Sequence, residues 1–99
     1  MLYELNCQYD TRNSFYGKAV VRVEENENVL HLELLSYGTL VANYVKYKKE
    51  NREVFEYFGK YSQTTTRHQK EFFKQNGLSD KEIKDLFKNG TLEVLDNED

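Results

Sequence analysis

Hydrophobic and polar residues alternate along the first 59 residues, and this period of two predicts strands with one buried face. The alternation covers residues 3–9, 15–24, 30–34, 40–47 and 54–58. Polar segments separate these stretches, and Gly38 permits a tight reversal between the third and the fourth. We therefore expect a meander of about five antiparallel strands.

The spacing of apolar residues changes to that of helices after residue 61. Ser62 or Thr64 can cap a first helix. For a second helix, Ser79 and Glu82 have the spacing of a capping box, in which each residue binds the backbone of the other. Glycines follow both segments, where a helix often ends in a left-handed residue. The pattern thus predicts two helices after the strands.

The predicted fold class is α+β, an antiparallel meander sheet followed by two C-terminal helices packed on one of its faces. Residues 1–95 should form a single domain, with a short last strand over 91–95 as an option, and residues 96–99 an acidic disordered tail. The apolar side of each element predicts one shared core, made of Leu5, Val21, Leu32, Ala42, Phe55, Phe72, Ile83, Leu86 and Phe87.

Composition limits the class of protein. The chain has 99 residues, of which 38% are apolar and 14% aromatic, enough for one modest core built largely from rings. Cys7 is the only cysteine, and we interpret it as a small buried hydrophobic residue rather than a nucleophile. Because no stretch is typical of a signal peptide or a membrane helix, we expect a soluble cytoplasmic protein.

Few catalytic arrangements are possible with two histidines and one cysteine. The sequence contains no zinc-binding spacing, no glycine-rich phosphate loop and no nucleophile elbow. His31 falls on the polar face of a predicted strand, as an ordinary surface histidine would. We therefore expect no catalytic residue, no metal, no cofactor and no enzymatic activity.

Hydroxyl and charged residues are concentrated where the strands give way to the first helix, between Tyr61 and Lys74. The candidate partner-binding residues are Tyr61, Ser62, Thr64, Thr65, Arg67, His68, Lys70 and Lys74. Helix-start amides and the positive end of the helix dipole could hold a phosphate or a carboxylate there. In the alternative interpretation the hydroxyls only cap the helix, and His68 packs against Phe72 one turn further on. Both interpretations stay open at this point.

The same segment carries a resemblance. Ser36-Tyr37-x-Thr39-x-Val41-Ala42, followed by Tyr61-Ser62-x-Thr64-Thr65-x-Arg67-His68-x-x-Glu71-Phe72, resembles a pattern in small uncharacterised proteins of bacteriophages. The resemblance spans residues 36–72 and implies a phage or prophage origin. It brings no established activity, but small phage proteins often act by binding a host or defence component, and this step is an analogy.

Charge is unevenly distributed along the chain. The net charge is −3, yet residues 60–90 carry seven basic and four acidic side chains. Basic residues recur with helical spacing at 67, 70 and 74, and again at 81, 84 and 88. Such stripes could contact nucleic-acid phosphates, although acidic residues interrupt the second one and a solvated helix face is the favoured explanation of the pattern.

From these observations we expect a phage-encoded, non-enzymatic accessory protein that binds a host macromolecule in the host cytoplasm. Inhibition of a host defence nuclease, in the manner of anti-CRISPR proteins, is one form of this hypothesis. The alternative is a small nucleic-acid-binding protein that uses the basic helical stripes. A host or defence-system protein is the expected partner, with nucleic acid as the second option and no role for a membrane, and the sequence leaves the oligomeric state open.

Overall fold

The computed structural model describes residues 1–95 as a six-stranded antiparallel sheet with two helices against one face. The elements are β1 (Leu2–Glu4), β2 (Ala19–Glu25), β3 (Val29–Ser36), β4 (Thr39–Tyr47), β5 (Arg52–Tyr57), α1 (Gln63–Gln75), α2 (Asp80–Asn89) and β6 (Thr91–Leu95). Every strand pairs with its neighbour in sequence, so the sheet order is β1-β2-β3-β4-β5-β6. The predicted α+β meander is confirmed, with a sixth strand because residues 91–95 return from α2 to pair with β5.

Cross-strand register places the alternating apolar residues on the face that the helices cover. Val21 lies opposite Leu34, and Leu34 lies opposite Ala42, so these three side chains form one row across β2, β3 and β4. All three are completely buried. The register shifts between Leu34 and Leu35, which leaves Val41 as the extra residue of a β-bulge in β4. This bulge turns Val41 into the core, where it is 1% exposed.

The hydrophobic core joins the covered face of the sheet to both helices. Eight of the nine predicted core residues are buried in it; Phe87 is the exception. Phe87 is only partly buried, because its ring stacks on Tyr57 at the border of the core, with centroids 4.3 Å apart. The core also contains residues that the prediction did not name, namely Phe15, Ala19, Leu34, Val41, Tyr44, Phe73 and Leu78.

The N-terminal strand is shorter than its alternating pattern predicts. β1 ends at Glu4 instead of continuing to Tyr9, and β2 begins at Ala19 instead of Phe15. The backbone amides of Tyr9 and Asp10 both donate to the Glu71 carboxylate on α1, so they are not available to a strand. A tight turn at Tyr16 and Gly17, where φ is positive at both residues, delays the start of β2.

Both helices begin as predicted. Ser62 is the N-cap of α1 and accepts a hydrogen bond from the amide of Thr65 at 3.1 Å. Ser79 caps α2, and the reciprocal bonds with Glu82 complete the capping box. Within residues 1–95, neither helix has the length and apolarity needed to cross a membrane. The predicted acidic tail at 96–99 lies outside the described residues.

A substitution at Phe73 tests whether α1 packs on the sheet. Its ring is completely buried and packs edge-on against Phe55 of β5. Phe73→Ala should lower the free energy of unfolding by about 3–5 kcal/mol, because the vacated volume cannot fully collapse. Phe58→Ala, at a ring that is 39% exposed, is the control and should change it by less than about 1 kcal/mol. Urea unfolding measures both, and equal effects of the two variants would contradict the docked helix.

Ser79 tests the cap of α2. Ser79→Ala removes the side-chain acceptor for the Glu82 amide and should cost about 1 kcal/mol of stability. The melting temperature should fall while binding to any partner is unchanged. Loss of binding at an unchanged melting temperature would instead assign Ser79 to a binding surface.

Candidate functional site

The start of α1 packs against the tight β3–β4 turn through a chain of buried polar side chains. Ser36, the last residue of β3, has its Oγ 2.8 Å from His68 Nδ1 and 2.9 Å from Thr65 Oγ1. Ser62 Oγ extends the chain to Thr65 Oγ1 at 3.3 Å. Ser36, Thr65 and His68 are all at most 5% exposed. Three polar side chains at the start of α1 and one distant in sequence, Ser36, therefore form one hydrogen-bonded network at the junction of sheet and helix.

His68 is enclosed in this network as a neutral imidazole. Burial lowers the pKa of His68 from its ordinary value of 6.5, an effect that Asp10 opposes and Arg12 reinforces. Its ring lies edge-on to Phe15 at 4.5 Å and near Tyr37 at 5.8 Å between centroids. His68 Nε2 has no hydrogen-bond partner among the described residues. The tautomer with the proton on Nδ1 is favoured, because it leaves a lone pair at Nε2 instead of an unpaired N–H.

The contact between Ser36 and His68 superficially resembles that of a nucleophile and its base. However, Ser36 is 2% exposed and His68 is 0% exposed, so no substrate atom can reach the pair in this conformation. In a Ser-His-Asp triad a carboxylate binds the second ring nitrogen, whereas the described residues place no partner at His68 Nε2. The pair joins the helix to the sheet.

The candidate partner-binding residues therefore divide into three groups. Thr65 and His68 are interior, which corrects the expectation that they contact a partner, and the ring neighbours of His68 include Phe15 and Tyr37. Ser62 caps the helix, and Thr64 is half-buried on its first turn. The remaining four, Tyr61, Arg67, Lys70 and Lys74, have side chains that reach the surface.

Arg67, Lys70 and Lys74 line one wall of a cleft of about 100 Å³, and Tyr9 and Asp10 line the other. Arg67 Nη1 is 3.7 Å from Asp10 Oδ1, and the Arg67 side chain remains 43% exposed. The Lys74 ammonium is 6.0 Å from the centre of the Tyr9 ring. The helical spacing of these cations thus results in a concave basic surface, because the N-terminal segment lies beside α1.

Lys74 also links α1 to the start of α2. Its ammonium donates to Asp80 at 2.9 Å, and this hydrogen bond lowers the pKa of the Asp80 carboxyl. A groove between the helices, lined by Lys70, Lys74 and Lys84, has Ile83 and Phe87 among its residues. Of the second basic stripe only Lys84 lines this groove, so the two stripes do not form one continuous basic face.

Glu71 is a site residue that the sequence analysis missed as a contact. Its carboxylate is 2% exposed, and its Oε1 accepts from the backbone amides of Tyr9 and Asp10, both at 2.9 Å. Gln75 Nε2 donates to Glu71 Oε2 at 2.6 Å and to the Asn6 carbonyl at 2.7 Å. These bonds fix the wall of the cleft opposite the cations. No local signal in the sequence identifies this role, because a glutamate one residue before a core position of a helix is ordinarily solvated and the partners of Glu71 are about sixty residues away in the chain.

The burial of Cys7 and of His31 differs in part from the prediction. Cys7 is half-buried and packs against the core, and burial raises the pKa of its thiol, so the thiolate nucleophile is disfavoured. His31 lies on the uncovered face of the sheet but is half-buried there, with Nε2 enclosed. Among residues 1–95, no three His, Cys, Asp or Glu side chains are grouped as metal ligands.

A family model described as a family of unknown function (DUF8033) matches residues 3–89. The chain belongs to this family. The match runs from β1 to the end of α2, so it contains both helices, the buried network and the cleft residues, while β6 follows it. Searches of curated proteins and of solved structures found no match.

Titration of His68 should appear in the pH dependence of stability. Above about pH 6.5 the imidazole is neutral in both the folded and the unfolded chain. As the pH falls below that value, the unfolded chain binds a proton that the folded chain does not, so the free energy of unfolding decreases until the lower folded-state pKa is reached.

The measurement is urea unfolding at several pH values between about 5 and 7 for the parent and for His68→Asn. The parent should lose stability on acidification with a slope of at most about 1.4 kcal/mol per pH unit from this residue. The variant should be less stable at pH 7 but show a shallower slope. Identical slopes would mean that His68 titrates normally in the folded chain.

Proposed function

We propose that this chain is a non-enzymatic accessory protein that binds a partner protein through the basic cleft beside α1. Three surface depressions meet at Lys74, and this convergence is the observation that supports the proposal. One contains Arg67 and Lys70, and another contains Lys84 with the apolar floor of Ile83 and Phe87. Cations around an apolar floor suit an acidic segment of a protein, which brings carboxylates and apolar side chains together.

The cleft by itself is too small for a typical free small molecule. Its volume of about 100 Å³ is well below the roughly 300–1,000 Å³ of such sites, whereas the two open depressions beside it, of about 510 and 340 Å³, are within that range and widen the surface around it. A single carboxylate or phosphate fits the cleft itself. The Arg67 guanidinium is the best-suited group, because its planar fork can donate two parallel hydrogen bonds to such an anion.

The biological setting is proposed from the resemblance alone. The pattern over residues 36–72 is that of small bacteriophage proteins, so the partner would be a host protein in the bacterial cytoplasm. A host defence nuclease, inhibited as in anti-CRISPR systems, is one such partner. Membership of a family of unknown function is compatible with this setting and does not specify it.

Nucleic acid is the second candidate partner, and the ion pairs weigh against it. Arg67 is near Asp10, and Lys74 is bound to Asp80, so part of the basic stripe is already neutralised. Glu71 lies in the same cleft. Phosphate backbones repel such carboxylates, whereas a folded protein can place its own cations beside them. The exposed Lys70 and Lys84 keep weak, salt-sensitive binding to nucleic acid as the competing outcome.

A pull-down from bacterial lysate with and without nuclease separates the two candidates. The immobilised chain should retain a discrete protein in both conditions. Retention that disappears with nuclease treatment would favour the nucleic-acid candidate, and no retained macromolecule at all would overturn the proposed function.

Arg67→Lys is the sharpest substitution at this site. It keeps the charge and the fold but removes the guanidinium fork, so retention of the partner should fall at least about fivefold, the equivalent of about 1 kcal/mol, at an unchanged melting temperature. Arg22→Lys is the matched control, because Arg22 is similarly exposed, at 45% against 43%, and pairs with Glu33 on the opposite face of the sheet. If both variants retain the partner like the parent, the cleft is not the binding site.

A further inference from the structure

Four aromatic rings are exposed at one end of the sheet, away from the cleft's lining residues. Tyr16 is 78% exposed, Tyr37 57%, Tyr61 52% and Phe58 39%. They belong to three segments, residues 13–18, 36–39 and 58–62, which we call the aromatic end. Three of these four residues, Tyr16, Tyr37 and Phe58, are outside the candidate site that the sequence predicts.

The three segments of the aromatic end are tied to one another and to α1. The amide of Tyr37 donates to the Lys18 carbonyl at 2.8 Å, which joins the first segment to the second. Gln69, completely buried on α1, donates from Nε2 to the carbonyl of Gly59 in the third segment at 3.1 Å. The buried bond between Ser36 and Thr65 connects the second segment to the helix that follows the third. Hydrogen bonds therefore hold together the three backbone segments that carry the exposed rings.

Two of the rings occupy positions that are conformationally unfavourable for tyrosine. In both tight turns a tyrosine with positive φ, 54° at Tyr16 and 51° at Tyr37, precedes a glycine with positive φ. Such turns favour Asn or Asp at the first position, because bulky residues tolerate the left-handed region poorly. At the opposite end of the sheet, the positive-φ residue between β4 and β5 is Asn51. Backbone conformation alone does not account for tyrosine at both turns of the aromatic end.

The composition of the aromatic end is that of a protein-recognition surface. Besides the buried Ser36, its residues include three Tyr, two Ser, three Gly, one Asn and one Thr. Antibody binding loops are rich in the same residue types, because tyrosine supplies large amphipathic contact area at a low entropic cost while Ser, Gly and Asn supply adaptable hydrogen bonds. Exposed rings on a rigid base also meet the usual description of binding hot spots.

The charge of the aromatic end indicates which kind of partner this surface could bind. The segments of the aromatic end contain two lysines, Lys18 and Lys60, and no acidic residue, whereas the rest of the chain holds twelve basic and seventeen acidic residues. The Glu4 carboxylate lies beside Gly17 of this surface, and the two lysines outnumber it. We infer that the aromatic end is a second docking surface, which binds an acidic face of a folded partner protein through Tyr16, Tyr37 and Tyr61. Two lysines are too few to follow a phosphate backbone, so stacking on single-stranded nucleic acid is the less favoured occupant.

This inference deepens the proposed function and depends on it, since it assigns a second contact to the same protein partner. The cleft would hold one anionic group, and the aromatic end would supply the larger contact area. Because Tyr37 and the cleft residue Tyr9 are equally exposed, at 57%, variants at these two positions can distinguish the surfaces.

The first experiment uses Tyr16→Asn and Tyr37→Asn, which keep the turns and remove the rings. Asn suits the first position of such a turn, so the melting temperature should stay within a few degrees of the parent, and this separates lost binding from lost folding. The probe is nuclease-treated bacterial lysate, divided on an anion exchanger at neutral pH into an acidic bound fraction and a flow-through fraction. Each aromatic variant should reduce retention from the acidic fraction at least tenfold. Leu2→Asn, at a position that is 63% exposed outside both surfaces, should leave retention unchanged.

The second experiment places a photo-crosslinking phenylalanine analogue at position 37, at position 9 or at position 2. Crosslinks from position 37 to an acidic segment of the retained protein, with none from position 2, support the docking surface. Crosslinks from position 9 but not from position 37, with full retention by the Tyr37→Asn variant, overturn the inference and leave the cleft proposal standing. If an excess of oligo(dT) abolishes retention, the aromatic end binds nucleic acid instead, and the inference is overturned. A parent chain that retains no protein overturns both proposals.

Discussion

Helix α1 holds this structure together because polar side chains buried on it bind separate segments of the rest of the chain. His68 contacts Ser36 at the β3–β4 turn, Gln69 donates to the carbonyls of Val41 and Gly59, and Glu71 accepts from the amides of the N-terminal segment. All three side chains are at most 2% exposed. A buried polar group without a partner is costly, so each of these residues specifies where one segment must lie.

This constraint also explains the two surfaces proposed for binding. Glu71 holds Tyr9 and Asp10 opposite the cations of α1, and the cleft exists because that loop is held there. Gln69 and the hydrogen bond between Ser36 and Thr65 similarly hold the segments that carry the exposed tyrosines. Binding surfaces that are ordered before a partner arrives lose less conformational entropy on association. In the proposed function the buried motif would contribute in this indirect way, by preorganising its exposed neighbours.

Charge also distinguishes the two proposed binding surfaces from the rest of the molecule. The chain is acidic overall, with a net charge of −3, yet neither proposed surface follows that average. In the cleft, cations outnumber the carboxylates of Asp10 and Glu71, and the segments of the aromatic end carry two lysines without an acid. An acidic partner would be repelled by most of the surface and accepted at these places, which restricts its orientation on binding.

Local pattern was enough to determine the fold class. Period-two alternation identified β3, β4 and β5 to within two residues at each end, and the capping box at Ser79 identified the start of α2, because these signals depend on residues only two to four positions apart. The same alternation wrongly extended β1 to Tyr9, since the acceptor that removes that segment from the sheet is Glu71, about sixty residues further along. Likewise, the sequence showed the residue types of the helix-start motif. It did not show which of these residues are buried in the interior and which are exposed. That division depends on Ser36 and Phe15 lying against His68, and only the packing of helix on sheet brings them there.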